Sequence, residues 1–258
     1  MFIEKIVEVK KAEVQAKKSQ TRQKKMENEI LFLPAPRNFV EALSRNAPMA
    51  VIAEIKRASP SLGTINGDAD ILHFAREYGK GGAAAISVLT EAHFFKGDLS
   101  FLHRVKKETP LPVLQKDFIL DPFQIYEGRV SGADALLLIA ALLEKEQLVD
   151  FIDLTKSLRL TPLVEIHNED DLKKISGLDL PLLGINNRDL KTFEVDLMTT
   201  LRLRKEIPSS IKVISESGIK DRKDVTLLKR AGVDAILVGE VLMRTPQPAS
   251  KIKELLSR

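Results

Sequence analysis

The chain has 258 residues, 44% of them apolar and 29% charged, with 40 basic residues, 36 acidic residues and no cysteine. That length supports a substantial core, and that aliphatic content excludes wholesale disorder. The missing cysteines exclude disulfides, thiol nucleophiles and Cys-ligated metal sites.

No apolar run approaches the ~18 residues of a membrane span. The opening MFIEKIVEVKK lacks the uncharged stretch of a signal peptide. No membrane partner is expected, and the cytoplasm is the expected location. The net charge of +4 raises the question of nucleic acid. Residues 1–30 carry eight basic and five acidic residues, so +3 of the +4 lies there. Aromatic stacking residues are scarce, at 5% with no Trp. No nucleic-acid partner is expected.

Residues 1–46 read as a charged helix, a connector and a short second helix near Asn38–Arg45. Ile3, Ile6, Val7, Lys10 and Val14 give the first helix a partial apolar face. Pro34, Pro36 and Pro48 punctuate the chain, and the apolar patch Ile30-Leu31-Phe32-Leu33 argues that this segment docks on the body.

From residue 49 apolar runs alternate with amphipathic stretches. The eight runs are Met49–Ile55, Ala83–Leu89, Pro112–Leu114, Ala133–Ile139, Pro162–Val164, Leu182–Ile185, Lys212–Ser215 and Asp234–Val238. After them come helix-like stretches at 70–79, 100–107, 122–130, 144–157, 169–175, 197–205, 221–229 and 250–257. Strand–helix alternation marks parallel α/β structure. A repeat supports it: Gly-Gly-Ala at Gly81, Ser-Gly-Ala-Asp-Ala at Ser131 and Ala-Gly-Val-Asp-Ala at Ala231. Each closes a helix on glycine and enters a strand. Eight units fit a single (β/α)8 TIM barrel. An open doubly wound sheet more often carries a glycine-rich fingerprint after its first strand, where this chain has Lys56-Arg57-Ala58-Ser59-Pro60. The expected division is an N-terminal helical extension, 1–46, over the barrel mouth and a barrel at 47–258.

Active sites of such barrels lie at the carboxyl ends of the strands. Six runs end in polar residues: Glu54 and Lys56; Gln115, Lys116 and Asp117; Glu165 and His167; Asn186 and Arg188; Ser215, Glu216 and Ser217; Gly239 and Glu240. One such charge is ordinary rim chemistry, whereas several on one rim make a convergent pocket. Lys56 and Lys116 can bind an anion, form a Schiff base or donate a proton. Glu54, Glu165 and Glu216 can accept protons or stabilise a cation. Gly218 and Gly239, with a short helix at Glu240–Met243, fit a phosphate site between the last two loops. Ser59 and Ser217 add hydroxyls. Phe95 and Phe118 can wall an apolar slot. His73 and His103 fall inside helix-like stretches and read as surface residues, and no residue spacing suggests a metal cage.

Several blocks together resemble the indole-3-glycerol phosphate synthase family. They are Ala53-Glu54-Ile55-Lys56-Arg57-Ala58-Ser59-Pro60-Ser61, Ile86-Ser87-Val88-Leu89-Thr90-Glu91, Lys116-Asp117-Phe118-Ile119, Leu163-Val164-Glu165-Ile166-His167, Gly184-Ile185-Asn186-Asn187-Arg188-Asp189-Leu190 and Ser215-Glu216-Ser217-Gly218-Ile219. The resemblance implies a phosphorylated small-molecule substrate, 1-(2-carboxyphenylamino)-1-deoxyribulose 5-phosphate, and no metal or organic cofactor. The implied reaction closes an indole ring with loss of carbon dioxide and water, in tryptophan biosynthesis. By motif, Lys116 resembles the general acid, Lys56 the cation that holds the carboxylate, and Glu165 the acid or base of dehydration. Glu54 and Asn186 resemble orienting groups, and Arg188 a ring-positioning residue. Ser59, Gly218 and Gly239 resemble parts of a phosphate cradle, adjoined by Ser217 and Glu240, whose backbone N–H is expected to face the ligand. Phe95, Phe118, Leu138 and Leu190 match positions that would enclose the anthranilate ring, and Glu216 joins the substrate-binding set. A lysine acid is expected to have its pKa pulled down by burial or a neighbouring cation. Many relatives carry a basic residue in place of Leu62 or Gln115, which is expected to weaken attraction to an anionic substrate. Contact with neighbouring tryptophan-pathway enzymes is a further implication. Other phosphosugar barrels, an isomerase or a Schiff-base aldolase, remain alternatives, as does a non-catalytic barrel whose basic N-terminus binds a partner.

Overall fold

The computed structural model describes residues 2–45 and 49–256. The expected break at Pro48, the division between residues 46 and 47 and the expected helix end at Ser257 lie outside the described residues. Three helices come first: α1 (Phe2–Gln20), α2 (Gln23–Ile30) and α3 (Phe39–Arg45). Then follow β1 (Ala50–Ile55), a hairpin of β2 (Ala58–Ser59) and β3 (Gly63–Thr64), α4 (Ile71–Gly81), β4 (Ala85–Leu89), α5 (Ser100–Glu108) and β5 (Val113–Lys116). The middle of the chain forms α6 (Pro122–Val130), β6 (Ala135–Ile139), α7 (Lys145–Ser157), β7 (Thr161–Ile166), α8 (Glu169–Lys174), β8 (Leu182–Asn186) and α9 (Met198–Leu203). The chain closes with β9 (Lys212–Glu216), α10 (Arg222–Arg230), β10 (Ala235–Val238), α11 (Glu240–Arg244) and α12 (Pro248–Leu256). No described helix is long and apolar enough to cross a membrane.

Eight strands form a closed parallel barrel in the order β1-β10-β9-β8-β7-β6-β5-β4, with β4 pairing back to β1. This is the TIM barrel. All eight expected runs become its strands, and the hairpin β2–β3 is an addition. Two-residue strands are too short to leave a period-2 pattern in the sequence.

Local chemistry sets the helix limits. Asp70 caps α4 by accepting the Leu72 N–H, and Asp121 and Gln124 form a capping box around Pro122 at the start of α6. The repeat has a physical meaning. Gly82, Gly132 and Gly232 all have positive φ, the geometry that ends a helix before the next strand. In two of the three copies the following aspartate ties the strands together. Asp134 accepts the Val113 N–H at 2.8 Å and Asp234 the Val213 N–H at 2.9 Å, each the N–H of the preceding barrel strand.

Side-chain alternation divides the core in two. Val51, Ile86, Val113, Leu136, Val164, Leu183, Val213 and Ile236 face the surrounding helices. Ile52, Ala85, Leu114, Leu137, Leu163, Leu182, Ile214 and Leu237 fill the barrel. Phe39 and Leu43 of α3 join this inner cluster, as does Ile6 of α1. Burying Phe39 completely is worth about 1.5–3 kcal/mol.

The N-terminal segment departs from expectation in three ways. The first helix breaks after Gln20, giving α1 and α2. The α3 helix packs on β1 and β4 just before β1 begins, so it lies at the amino end of the barrel, opposite the mouth. The segment docks on the body as expected, but not through the exposed half of its apolar patch: Leu31 is 77% and Phe32 89% exposed. Hydrogen bonds hold the connector instead. Arg37 donates to the carbonyls of Lys106, Thr109 and Leu111, and Arg129 donates to that of Pro34. Met26 of α2 packs with Val14 and Phe123.

Candidate active site

Strand parity places Glu54, Ser87, Lys116, Glu165, Asn186 and Glu216 in line with the inner cluster, at the carboxyl ends of six strands. Their contacts make two linked groups. Lys116 Nζ lies 2.9 Å from Glu165 Oε2 and 2.7 Å from Glu216 Oε2. Lys56 Nζ lies 2.9 Å from Glu54 Oε1, while Ser87 Oγ donates to Glu54 Oε2 at 3.4 Å. Tyr78 of α4 donates to the Glu54 carbonyl at 3.0 Å and so fixes the end of β1 from outside.

Two glycines make room for these carboxylates. A Cβ on Gly184 would sit 2.3 Å from Glu216 Oε1, and one on Gly239 would sit 2.6 Å from Glu54 Oε1. Gly239 was expected on phosphate grounds, and the carboxylate beside it is a second reason for glycine.

The electrostatics separate the two carboxylates that share Lys116. Burial works against charge on Glu165, but Lys116 and His167 outweigh it and hold its pKa below the usual carboxylate range. Burial also raises Glu216, and the neighbouring Glu165 charge raises it further. The pair therefore holds one ionised and one proton-bearing carboxyl, the pattern that assigns base and acid. Lys116 itself runs against expectation. Burial lowers its pKa, but Glu165, Glu216 and Glu54 overcome burial and hold it well above the ordinary lysine value. The second lysine of the site, Lys56, pairs with Glu54.

The loops after β8 and β9 depend on Asn187, which the sequence reading passed over. Its amide donates to Ser215 Oγ at 3.0 Å and to the carbonyls of Glu216 and Ser217 at 2.9 and 3.0 Å. Its oxygen accepts from Thr200 Oγ1 at 2.7 Å. Those bonds hold Ser217 (φ +67) and Gly218 (φ +81) in consecutive left-handed conformations. For Ser217 that geometry costs on the order of 1–3 kcal/mol. Asn186 Oδ1 accepts the Arg188 N–H at 3.1 Å, and Arg188 Nη1 donates to the Phe193 carbonyl at 2.9 Å. Ser59 Oγ is buried and has no hydrogen-bond partner among the described residues. Glu240 begins α11 after Gly239, and its side chain pairs with Arg244 at 3.1 Å along the helix surface.

Phe95 and Phe118 meet at a tilt of 44° with 6.1 Å between centroids, and both belong to the inner cluster with Leu190. Leu138 does not. It lies in the outer cluster under the helices, because its strand neighbours Leu137 and Ile139 take the inward positions. Gln115 is likewise outward and buried, packed where a Cβ on Gly128 of α6 would strike it. Its effect is on helix packing, away from the anion-binding groups. Leu62 lies in the hairpin turn and is 37% exposed.

Two buried acids that the sequence reading named without giving them a role hold the loops. Glu91 accepts the N–H groups of His93, Phe94 and Phe95. Asp117 accepts from Thr90 Oγ1 and from the Phe118 N–H, and pairs with the buried Lys10 of α1 at 3.0 Å. The signal for both was a carboxylate one or two residues after a strand, shortly before phenylalanine. Phe2 meets Phe94 and Phe193 edge-on at 5.2 and 5.4 Å, so α1 bridges the loops after β4 and β8.

A family model described as indole-3-glycerol phosphate synthase matches residues 3–255. An indole-3-glycerol phosphate synthase of Acetivibrio thermocellus is 49% identical over 219 residues, 85% of this chain and 84% of that protein. Another, from Caldanaerobacter subterraneus subsp. tengcongensis, is 46% identical over 260 residues, covering 100% of this chain and 98% of that one. Among solved structures, 3-hexulose-6-phosphate synthase from Salmonella typhimurium superposes with a TM-score of 0.66 at 14% identity, over 81% of this chain and 97% of that one, a likeness of fold alone. The isomerase, aldolase and non-catalytic readings give way to these matches. The chain belongs to the indole-3-glycerol phosphate synthase family.

Proposed function

We propose that the cluster centred on Lys116 carries the family's reaction, ring closure, decarboxylation and dehydration of 1-(2-carboxyphenylamino)-1-deoxyribulose 5-phosphate. The observation that carries this assignment is Lys116 Nζ between Glu165 and Glu216 at 2.9 and 2.7 Å, at the carboxyl end of the barrel. Ring closure drives an aromatic carbon onto a ketone and builds negative charge on its oxygen. A buried ammonium held there stabilises that charge. The resulting alkoxide is a stronger base than an amine, so the proton crosses to it as the bond forms. Glu216 bears a proton beside Lys116 and can return one to it.

Lys56 is the cation for the substrate carboxylate. Glu54 holds it in place, and its charge favours the iminium that drains electrons as carbon dioxide leaves. Dehydration needs an acid for the departing hydroxyl and a base for the proton whose loss restores aromaticity. Glu165, kept ionised, is that base. Asn186 and Arg188 orient the reacting ring. Phe95, Phe118 and Leu190 supply the apolar slot, with α1 closing over it. Ser59, Ser217, Gly218, Gly239 and the Glu240 N–H form the phosphate cradle, and the buried hydroxyl of Ser59 supports that reading.

Steady-state kinetics separate these roles. Lys116→Ala should lower kcat by about 10²–10⁴-fold with little change in KM, whereas Lys56→Ala should raise KM most. A Lys116→Ala protein that turns over at the wild-type rate refutes the assignment. We place the reaction in the cytoplasm, where phosphorylated intermediates are retained. Contact with enzymes of adjacent tryptophan-pathway steps is testable by co-purification from cells expressing them at natural levels.

A further inference from the structure

Lys116 occupies only one oxygen of Glu165. The other, Oε1, faces His167 Nε2 at 3.1 Å. His167 follows Glu165 by two residues, on the same side of the chain, and its side chain is 5% exposed. Its second nitrogen, Nδ1, stands 3.6 Å from Asp171 Oδ2, and that oxygen also accepts the His167 backbone N–H at 2.9 Å. Asp171 is buried, and its own N–H is held by the Asn168 side chain that caps α8. A neutral imidazole has one N–H and one bare lone pair, so it would turn that lone pair toward a carboxylate. Neither ring nitrogen is aligned for a hydrogen bond, but each stands within ion-pair range of a buried carboxylate, and only imidazolium carries the positive charge that suits both acids.

We propose that His167, protonated between Glu165 and Asp171, is a positioning residue that keeps the Glu165 carboxylate ionised and aimed for proton transfer, so that deprotonating the imidazole turns the site down. This inference rests on the reading of Glu165 as the base. The groups facing the imidazole are Glu165 from β7, Asp171 from α8 and, farther off, Asp189 beyond β8. Lys116 of β5 and Glu216 of β9 lie on the far side of Glu165. Burial opposes the imidazolium, but Asp171 and Glu165 outweigh burial and lift its pKa to about 9. A purely structural role fits the contacts less well. The bond from Asp171 to the residue 167 N–H and the Asn168 cap need no imidazole. Removing the ring leaves the turn tied and subtracts a charge beside Glu165.

The test is the pH profile of kcat, from pH 6 to 10.5, for the full chain and its His167→Asn, Asp171→Asn and Glu165→Gln variants. Product is followed by indole fluorescence. Wild-type kcat should fall as pH passes about 9, beyond the fall near 8 that loss of the Glu216 proton gives. His167→Asn should lose about tenfold in kcat at pH 7, keep KM within twofold and lack the limb near 9. Asp171→Asn keeps an oxygen for the backbone N–H and should move the limb to lower pH. If His167→Asn fails to fold, the Asp171→Asn limb decides alone. A limb that stays in place in either variant, with or without a loss of rate, overturns the inference. Glu165→Gln separates the two readings. Full activity in that variant removes Glu165 as the base, whereas an inactive Glu165→Gln beside an unaltered His167→Asn profile refutes only the role of His167.

Discussion

Gly184→Ala tests whether a glycine in β8 exists to seat a catalytic carboxyl. The position has no positive φ, so alanine meets no backbone penalty there. The added Cβ would lie 2.3 Å from Glu216 Oε1, where ordinary contact starts at 3.4 Å. Glu216 must therefore withdraw by about 1 Å, and its 2.7 Å contact with Lys116 cannot survive unchanged. A misplacement of that size costs on the order of 10²-fold in rate, equivalent to about 2.7 kcal/mol of barrier. Overpacking costs about 1–3 kcal/mol of stability as well. Steady-state indole fluorescence gives kcat, and urea unfolding at the assay temperature gives stability and shows whether the variant is folded there. A folded Gly184→Ala protein with kcat within twofold of wild type would refute the reasoning.

Four further outcomes follow from the same geometry. Ser59→Ala removes a hydroxyl with no partner among the described residues, so stability should hold while KM rises by about tenfold, the worth of one hydrogen bond; a loss of stability without a change in KM counts against the phosphate cradle. Lys10→Met strands Asp117 in the interior, which should cost about 3–5 kcal/mol in urea unfolding or undock α1; Asp117→Asn in the same background should recover part of the loss. The folded-state pKa of His167 lies above its unfolded value, so its stabilisation is complete below about pH 6.5 and disappears as pH rises through about 9. The urea midpoint of wild type should fall across that window more than that of His167→Asn. Leu138→Ala should destabilise by about 2–5 kcal/mol, as for an outer-core cavity, and leave the KM of folded protein unchanged.

The barrel was legible because parallel strands buried on both faces leave apolar runs, and the runs at Ala133–Ile139 and Asp234–Val238 predict β6 and β10 to within two residues. The candidate site was legible through parity and chain position, since a polar residue ending such a run belongs to the rim. Parity also explains the miss at Leu138. A continuous run such as Ala-Leu-Leu-Leu-Ile does not show which leucine faces inward until its neighbours fix the register. The pKa of Lys116 was not legible either. It depends on Glu165 and Glu216, 49 and 100 residues away, and on Glu54. The exposure of Leu31 and Phe32 follows from backbone bonds made by Arg37 and Arg129, which hydropathy does not register.

Single-turnover indole formation, with enzyme in excess over 1-(2-carboxyphenylamino)-1-deoxyribulose 5-phosphate, tests the role of Lys116 most directly. The protein has no Trp and two Tyr, so product fluorescence rises from a low background. Wild type should convert all bound substrate in one phase, and Lys116→Met should bind substrate yet form indole at least about a hundredfold more slowly. Equal single-turnover rates in the two proteins would contradict the assignment of Lys116 as the acid of ring closure.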